Sequence, residues 1–313
     1  MNTKLTGDNL FRIIAAVIAA SVAVILLISA YALVTGSSTV LGKFGLDFFT
    51  GIKWNPADGR EAFGVLPYVL GTLVTSGIAL LIGVPLSLGI AIFLSEMAPR
   101  ALRVPIGYIV ELLAAVPSVI YGLWGLFIFR FWLLDYIETP LSNYLGWIPI
   151  FSGTPFGLDV FTAGVILAIM IIPTVASVSR EVISAVPTSI REGAYSIGAT
   201  KWEVIRYWVL SYGRSGIFGA IILGLGRAVG ETMAVTMVIG NATGPYAMPT
   251  SLFKPGQTLS SLIANGFLEA TSPTEKSAYI GAALALLIIS IIINVLAYVL
   301  VTRVMKVKGG AVE

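Results

Sequence analysis

The chain has 313 residues, 57% hydrophobic and 11% charged, with a formal charge of +3. Soluble domains carry roughly a quarter charged residues, so this composition excludes a pair of soluble domains and fits an integral membrane protein. Cysteine and histidine are both absent, which removes disulfides, thiolate metal sites, the commonest metal ligand and every Ser-His-type nucleophile pair.

Six apolar segments approach or exceed the ~20 residues that a spanning helix needs. They are Ile13–Val34, Leu66–Leu94, Val104–Phe129, Phe161–Ser179, Ser215–Gly240 and Ala278–Thr302. Ala30-Tyr-Ala32 in the first has the look of a signal-peptidase site. The apolar run before it is longer than a signal core, so the segment is read as a retained span. Pro85, Pro117 and Pro173 lie inside spans two, three and four. Each removes a backbone donor and is expected to kink its helix, or to serve as a hinge. Trp54, Trp132, Trp147, Trp202 and Trp208 fall near predicted membrane edges, where tryptophans anchor to the interface.

Orientation follows from the basic residues. Lys4, Arg12, Arg100, Arg103, Arg180, Arg191, Lys201, Arg206, Arg214, Arg303, Lys306 and Lys308 fall on one side. Lys43, Lys53, Arg60, Arg130, Lys254 and Lys276 fall on the other, which also holds Asp47, Asp58, Glu61, Asp135, Glu138, Asp159, Glu269 and Glu275. The positive-inside rule then places both termini in the cytoplasm.

Between spans four and five the chain stays on the basic side over residues 180–214. From Arg191 to Leu210 polar and apolar residues alternate at helical spacing, and Gly198 divides the run. The expected form is a short helix, a glycine turn and a second helix, both lying along the membrane surface. No Gly-x-x-x-x-Gly-Lys-Ser/Thr phosphate loop is present, so ATP hydrolysis by that route is excluded.

Arg227 and Glu231 interrupt the otherwise uncharged fifth segment. A continuous helix over Ser215–Gly240 would hold Arg227 roughly 18 Å from either end. At that depth an arginine costs at least about 2.5–3.5 kcal/mol. Glu231, four residues on, would share its helix face and neutralise it. The pair either binds an anion in transit or is a buried ion pair between helices. Ala220 and Gly224 share this face, and Gly226-x-x-x-Gly230 offers a second small-residue seam. One of the two faces could meet a partner protein. Glu111, in span three, is read as structural or as part of an inner gate.

Glu192-Gly-Ala194, Gly198 and Leu210 resemble the Glu-Ala-Ala loop of ABC importer permeases, whose coupling helix docks in a groove of the ATPase. Gly193, Trp208 and Ser211 depart from that pattern. Gly71-Thr-Leu-Val-Thr-Ser76, Glu111-Leu-Leu-Ala-Ala-Val-Pro-Ser118, Tyr121-Gly-Leu-Trp-Gly-Leu-Phe-Ile-Phe129, Ala163-Gly-Val-Ile-Leu-Ala-Ile-Met-Ile-Ile-Pro173 and Gly224-Leu-Gly-Arg-Ala-Val-Gly-Glu-Thr-Met-Ala-Val235 together resemble the PstC-type permease family of phosphate importers. The resemblance runs in order from about Gly64 to span six.

It implies an all-α type I ABC importer permease of the bacterial inner membrane. A core over 66–303 would follow an N-terminal part, 1–65, and precede a cytoplasmic tail, 304–313. It also implies a related PstA-type permease, two PstB-type ATPase subunits that bind ATP and magnesium, and an external phosphate-binding protein. This chain would itself be no enzyme, with no cofactor and no metal. In that family Arg227 and Glu231 fall on transport-critical positions. An ABC permease for another oxyanion, an ion- or proton-coupled secondary anion transporter, and a membrane sensor or scaffold remain alternatives.

Overall fold

A computed structural model describes residues 7–57 and 59–306 of the chain. Lys4, Asp58 and Lys308, used above for topology, lie outside the described residues, as does the tail beyond residue 306.

Among the described residues, six helices are long and apolar enough to cross a membrane: Leu10–Gly36, Leu66–Met97, Ser118–Leu145, Val160–Ser184, Lys201–Gly230 and Pro273–Val299. Spans one, two, four and six stand where the apolar runs put them. Spans three and five differ, and each difference has a local cause.

The predicted third helix, Val104–Phe129, is broken. A helix over Arg100–Ala115 ends at Val116 (ψ 126°) and Pro117 (ψ 139°), and Ser118 begins the next. A proline pushes the residue before it out of the helical region and brings no N–H of its own. The Tyr121 hydroxyl bridges the gap by donating to the Leu113 carbonyl at 2.9 Å. Pro85 and Pro173 lie inside unbroken helices.

The predicted fifth helix, Ser215–Gly240, is shifted and also broken. It starts at Lys201, because Thr200 and Glu203 form a reciprocal capping box. It then runs through a π-helical turn at Val204–Val209 and ends at Gly230. The expected second surface helix is therefore the first part of span five. Glu231 is extended (ψ 127°), and a short helix, Met233–Val238, follows.

Span four is the centre of the bundle. Ala163, Ile166, Leu167, Met170, Ile171 and Val175 are buried against spans two and five. Gly71 of span two approaches the segment before Leu259 so closely that a β-carbon there would stand 2.2 Å from the Gln257 carbonyl oxygen. Beside it, Thr72 Oγ1 accepts the Leu259 N–H at 3.0 Å. The Gly71-to-Ser76 motif is thus a docking seam for this segment.

Span one is exposed along its length and leans on span six, where Ser277 Oγ donates to the Gly36 carbonyl at 2.9 Å. Short helices at Ser38–Phe44 and Asp47–Thr50, with a hairpin pairing Trp54–Asn55 and Ala62–Phe63, cap this same Pro273 end of span six. Trp54 packs against Phe63, Tyr68 and Tyr279 in that cap rather than serving as a membrane anchor. Trp132, Trp147 and Trp202 are exposed.

Candidate functional site

Ala220 is buried against span four, and a β-carbon on Gly224 would lie 2.5 Å from Val175 Cγ2. This close approach carries Arg227, one turn further on, to Thr174. Arg227 Nη1 donates to Thr174 Oγ1 at 2.9 Å. Thr174 lies about 21 Å from the Val160 end of span four and about 15 Å from the Ser184 end, at ~1.5 Å per residue. The half-buried guanidinium thus sits near the middle of the bundle.

The expected same-face pair with Glu231 does not form. The helix ends at Gly230, so helical spacing no longer relates the two side chains. Glu231 Oε1 instead accepts the Ala234 N–H at 3.3 Å, capping the short helix, while Ser260 Oγ donates to the Glu231 carbonyl at 2.8 Å. Among the described residues, ion pairs join Arg191 to Glu96 and Lys43 to Glu61, and none joins Arg227 to Glu231.

The two broken spans meet here. Ser118–Trp124 packs on Met233–Val238, with Gly122 leaving room for Ala234 and Met237. Tyr121 lies within Coulombic range of Arg227. Non-helical backbone at membrane depth is tolerated where it is buried in protein or lines a wet cavity. The Ala220–Gly224–Arg227 face turns to span four of the same chain, not to another protein. Gly226 and Gly230 have open space around them.

Glu111 sits on the Arg100–Ala115 helix, exposed, and shares a cavity of about 290 Å³ with Ser177, Arg180, Glu181 and Ser184. It is therefore not an isolated acid inside the bilayer.

The loop between spans four and five begins with the helix Thr188–Ser196, which leaves Glu192 and Gly193 exposed and buries Ala194. Gly198 turns the chain at φ +86°, a conformation that favours glycine. Leu210 is half-buried within span five. Arg191, which the sequence marked only as a topological charge, ties this helix down. Its Nη2 and Nε donate to Glu96 Oε1 at 2.6 and 3.2 Å, its Nη2 to the Ile183 carbonyl at 2.9 Å, and its Nη1 to the Val186 carbonyl.

A second feature escaped the sequence reading. Asp159 caps span four by accepting the Thr162 N–H at 2.9 Å, and Thr162 Oγ1 donates to Glu138 Oε1 at 2.9 Å. Both carboxyls are fully buried, and one oxygen of each lacks a donor. The two carboxyls interact, so one retained proton would serve both. Burial first, then the neighbouring Glu138 charge, pushes the Asp159 carboxyl up to about 8. The signal was an aspartate before an apolar run with threonine three residues on. Among the described residues, no group of three or more acidic side chains is arranged to hold a metal ion.

Residues 83–306 match the family described as "Binding-protein-dependent transport system inner membrane component". The chain is 45% identical over 306 residues to the phosphate transport system permease protein PstC of Haemophilus influenzae, covering 96% of this chain and 95% of that one. It is 47% identical over 281 residues to PstC of Pasteurella multocida, covering 88% and 86%. A chain of a bacterial alginate ABC transporter, solved with an alginate pentasaccharide-bound periplasmic protein, shares the fold. It aligns with a TM-score of 0.59 and 18% identity over 97% of this chain and 99% of that one. With a family match over most of its length and relatives similar almost end to end, the chain belongs to the binding-protein-dependent transport system inner membrane components, in the group of PstC permeases.

Proposed function

We propose that this chain is one of two permease subunits of an ATP-driven phosphate importer in the bacterial inner membrane. Its partners are a related PstA-type permease, a PstB-type ATPase dimer that binds ATP and magnesium, and an external phosphate-binding protein. The basic end, with both termini, faces the cytoplasm. The core over 66–303 carries the pathway, and 180–214 carries the ATPase-docking helix with Glu192, Gly193, Ala194 and Gly198. The chain itself performs no catalysis and holds no cofactor.

The observation that carries this reading is Arg227, held near mid-bundle by a neutral hydroxyl between two interrupted spans. A guanidinium has several donors in a planar fork that suits phosphate oxygens, and Thr174 uses one. Glu231 lies close in the chain with its carboxylate on a backbone cap. It can swing to Arg227 after phosphate leaves, so that the anion is held weakly and conducted rather than trapped. Alternating access then follows from the ATPase pair. ATP binding moves the docked Thr188–Ser196 helix, and the bundle opens toward the loaded binding protein.

One observation favours a proton-coupled transporter instead, namely the buried Glu138–Asp159 pair. Vesicles holding the reconstituted four-subunit complex and binding protein separate the two. Phosphate uptake that needs ATP and survives a protonophore is expected. Uptake abolished by the protonophore while ATP is maintained contradicts the proposal.

A further inference from the structure

Below Arg227, span four turns a polar face toward its Ser184 end. Thr174, Ser177, Glu181 and Ser184 recur at intervals of three and four residues, which places them along one side of the helix. Arg180 borders this strip. Its guanidinium lies over Gly107 of the Arg100–Ala115 helix, where a β-carbon would stand 2.7 Å from Nη1. Glycine at 107 is thus what lets the arginine lie flat against that helix. Thr174, Ser177 and Arg180 are half-buried, whereas Glu181, Ser184 and Glu111 are exposed, so the strip opens gradually toward the basic end.

The strip lines the cavity of about 290 Å³ described above, and all five lining side chains are polar. That space is many times the ~30 Å³ that a water molecule occupies in the liquid. Among the described residues Arg180 makes no ion pair, while Glu111 and Glu181 stand at the same cavity. Six residues separate Thr174 from Arg180 along span four, or about 9 Å at ~1.5 Å per residue. Two arginines are therefore spaced along one polar track, and two acids share the cavity of the second.

We propose that this cavity is a release station for the transported anion. Inorganic phosphate leaving Arg227 is taken next by the Arg180 guanidinium and the Ser177 and Ser184 hydroxyls, and Glu111 and Glu181 displace it toward the cytoplasm. The inference deepens the phosphate reading and rests on it. The two acids matter as much as the arginine, since a release site must hold its anion briefly. An anion there meets a compact cluster with an excess of negative charge at its mouth. Its residence is short and its exit favoured.

The absence of cysteine from this chain provides the test. Ser177→Cys and, as a second position nearer the mouth, Ser184→Cys are introduced singly into the four-subunit complex. Each is labelled without nucleotide by an anionic and a cationic methanethiosulfonate, and modification of this chain is followed by mass spectrometry. Arg180 is expected to raise the anionic rate relative to the cationic one at both positions, against the pull of the two acids. Arg180→Gln should cut the anionic rate by roughly tenfold, about what one unit charge a few ångströms away supplies near a protein surface. Arg180→Lys should restore most of it. Inorganic phosphate should slow the anionic reagent in the presence of Arg180 and not in Arg180→Gln.

An anionic-to-cationic rate ratio unaltered by Arg180→Gln at both positions would overturn the station. So would labelling that phosphate does not slow in a complex that still imports phosphate, and the importer reading would then stand. A complex that imports another oxyanion but not phosphate would refute the importer reading itself, whatever the labelling shows. A merely structural Arg180 would shift the ratio through its charge, but phosphate would not slow the anionic reagent in its presence.

Discussion

Replacing Arg191 by methionine should free the ATPase-docking helix from the bundle. The guanidinium makes charge-assisted bonds to Glu96 and reaches the Ile183 and Val186 carbonyls, so it joins the Thr188–Ser196 helix to the ends of spans two and four. Removing one member of a buried pair costs about 3–5 kcal/mol, mostly through the charge left behind. The side chains here are 18% and 13% exposed. Water can therefore reach part of the orphaned Glu96, which lowers the expected cost to about 2–3 kcal/mol. At ~1.4 kcal/mol per factor of ten, amides of residues 188–196 should lose about thirty- to hundredfold protection. Hydrogen exchange of the purified complex, read by mass spectrometry, measures this. Arg206→Met is the control, since Arg206 is exposed and only overlies the Tyr207 ring. The same Arg191 variant should hydrolyse more ATP per phosphate moved, because the docking helix no longer carries span two with it. Protection within about threefold of wild type would refute the reasoning, being under ~1 kcal/mol.

Two further outcomes follow from packing and protonation. Gly71→Ala should destabilise the complex by about 1–3 kcal/mol or more, because the new β-carbon meets the backbone oxygen of Gln257 rather than a movable side chain. Gly77→Ala, which meets open space, should leave the melting temperature unchanged, and equal melting of the two variants would contradict the seam. Burial and the Glu138 charge raise the Asp159 carboxyl from 3.8 towards about 8 in the folded chain. The folded state therefore binds the proton more tightly, and stability should fall as pH rises across that interval. A melting temperature higher at pH 6 than at pH 9, with the difference reduced in Asp159→Asn, is expected. An unchanged pH slope in that variant would exclude the shared proton.

Much of the fold was legible because a bilayer crossing demands a long apolar run, and such runs stand out. Both breaks were harder to see. Pro117 announced an interruption, but a proline inside a span can kink a helix or end it, and only packing decides. Span five stops at Gly230 because Glu231 bonds the Ala234 N–H and Ser260 holds the Glu231 carbonyl. The serine is remote in the chain, so helical periodicity ran straight through the break. The true start of span five was present in Thr200 and Glu203, a capping box that the apolar count overrode.

At the site, Arg227 stood out because a charge in an apolar run is costly. Its partner Thr174 did not, since a threonine in a span is ordinary. The Arg191–Glu96 and Glu138–Asp159 pairs join distant parts of the chain, and no spacing rule reaches across such separations. Arg180 was read as one basic residue at a membrane edge. Its meaning comes from Gly107 and Glu111 on the helix packed against it.

The central claim is that Arg227 meets phosphate in the pathway, and Arg227→Gln tests it most directly. Complexes that assemble normally and retain ATP hydrolysis stimulated by the binding protein should lose phosphate uptake by about thirty- to hundredfold. That is the effect of losing roughly 2–3 kcal/mol of charge-assisted contact at the highest barrier. Arg227→Lys should recover part of the uptake, keeping the charge without the planar fork. Uptake by an assembled Arg227→Gln complex at the wild-type rate would contradict the account.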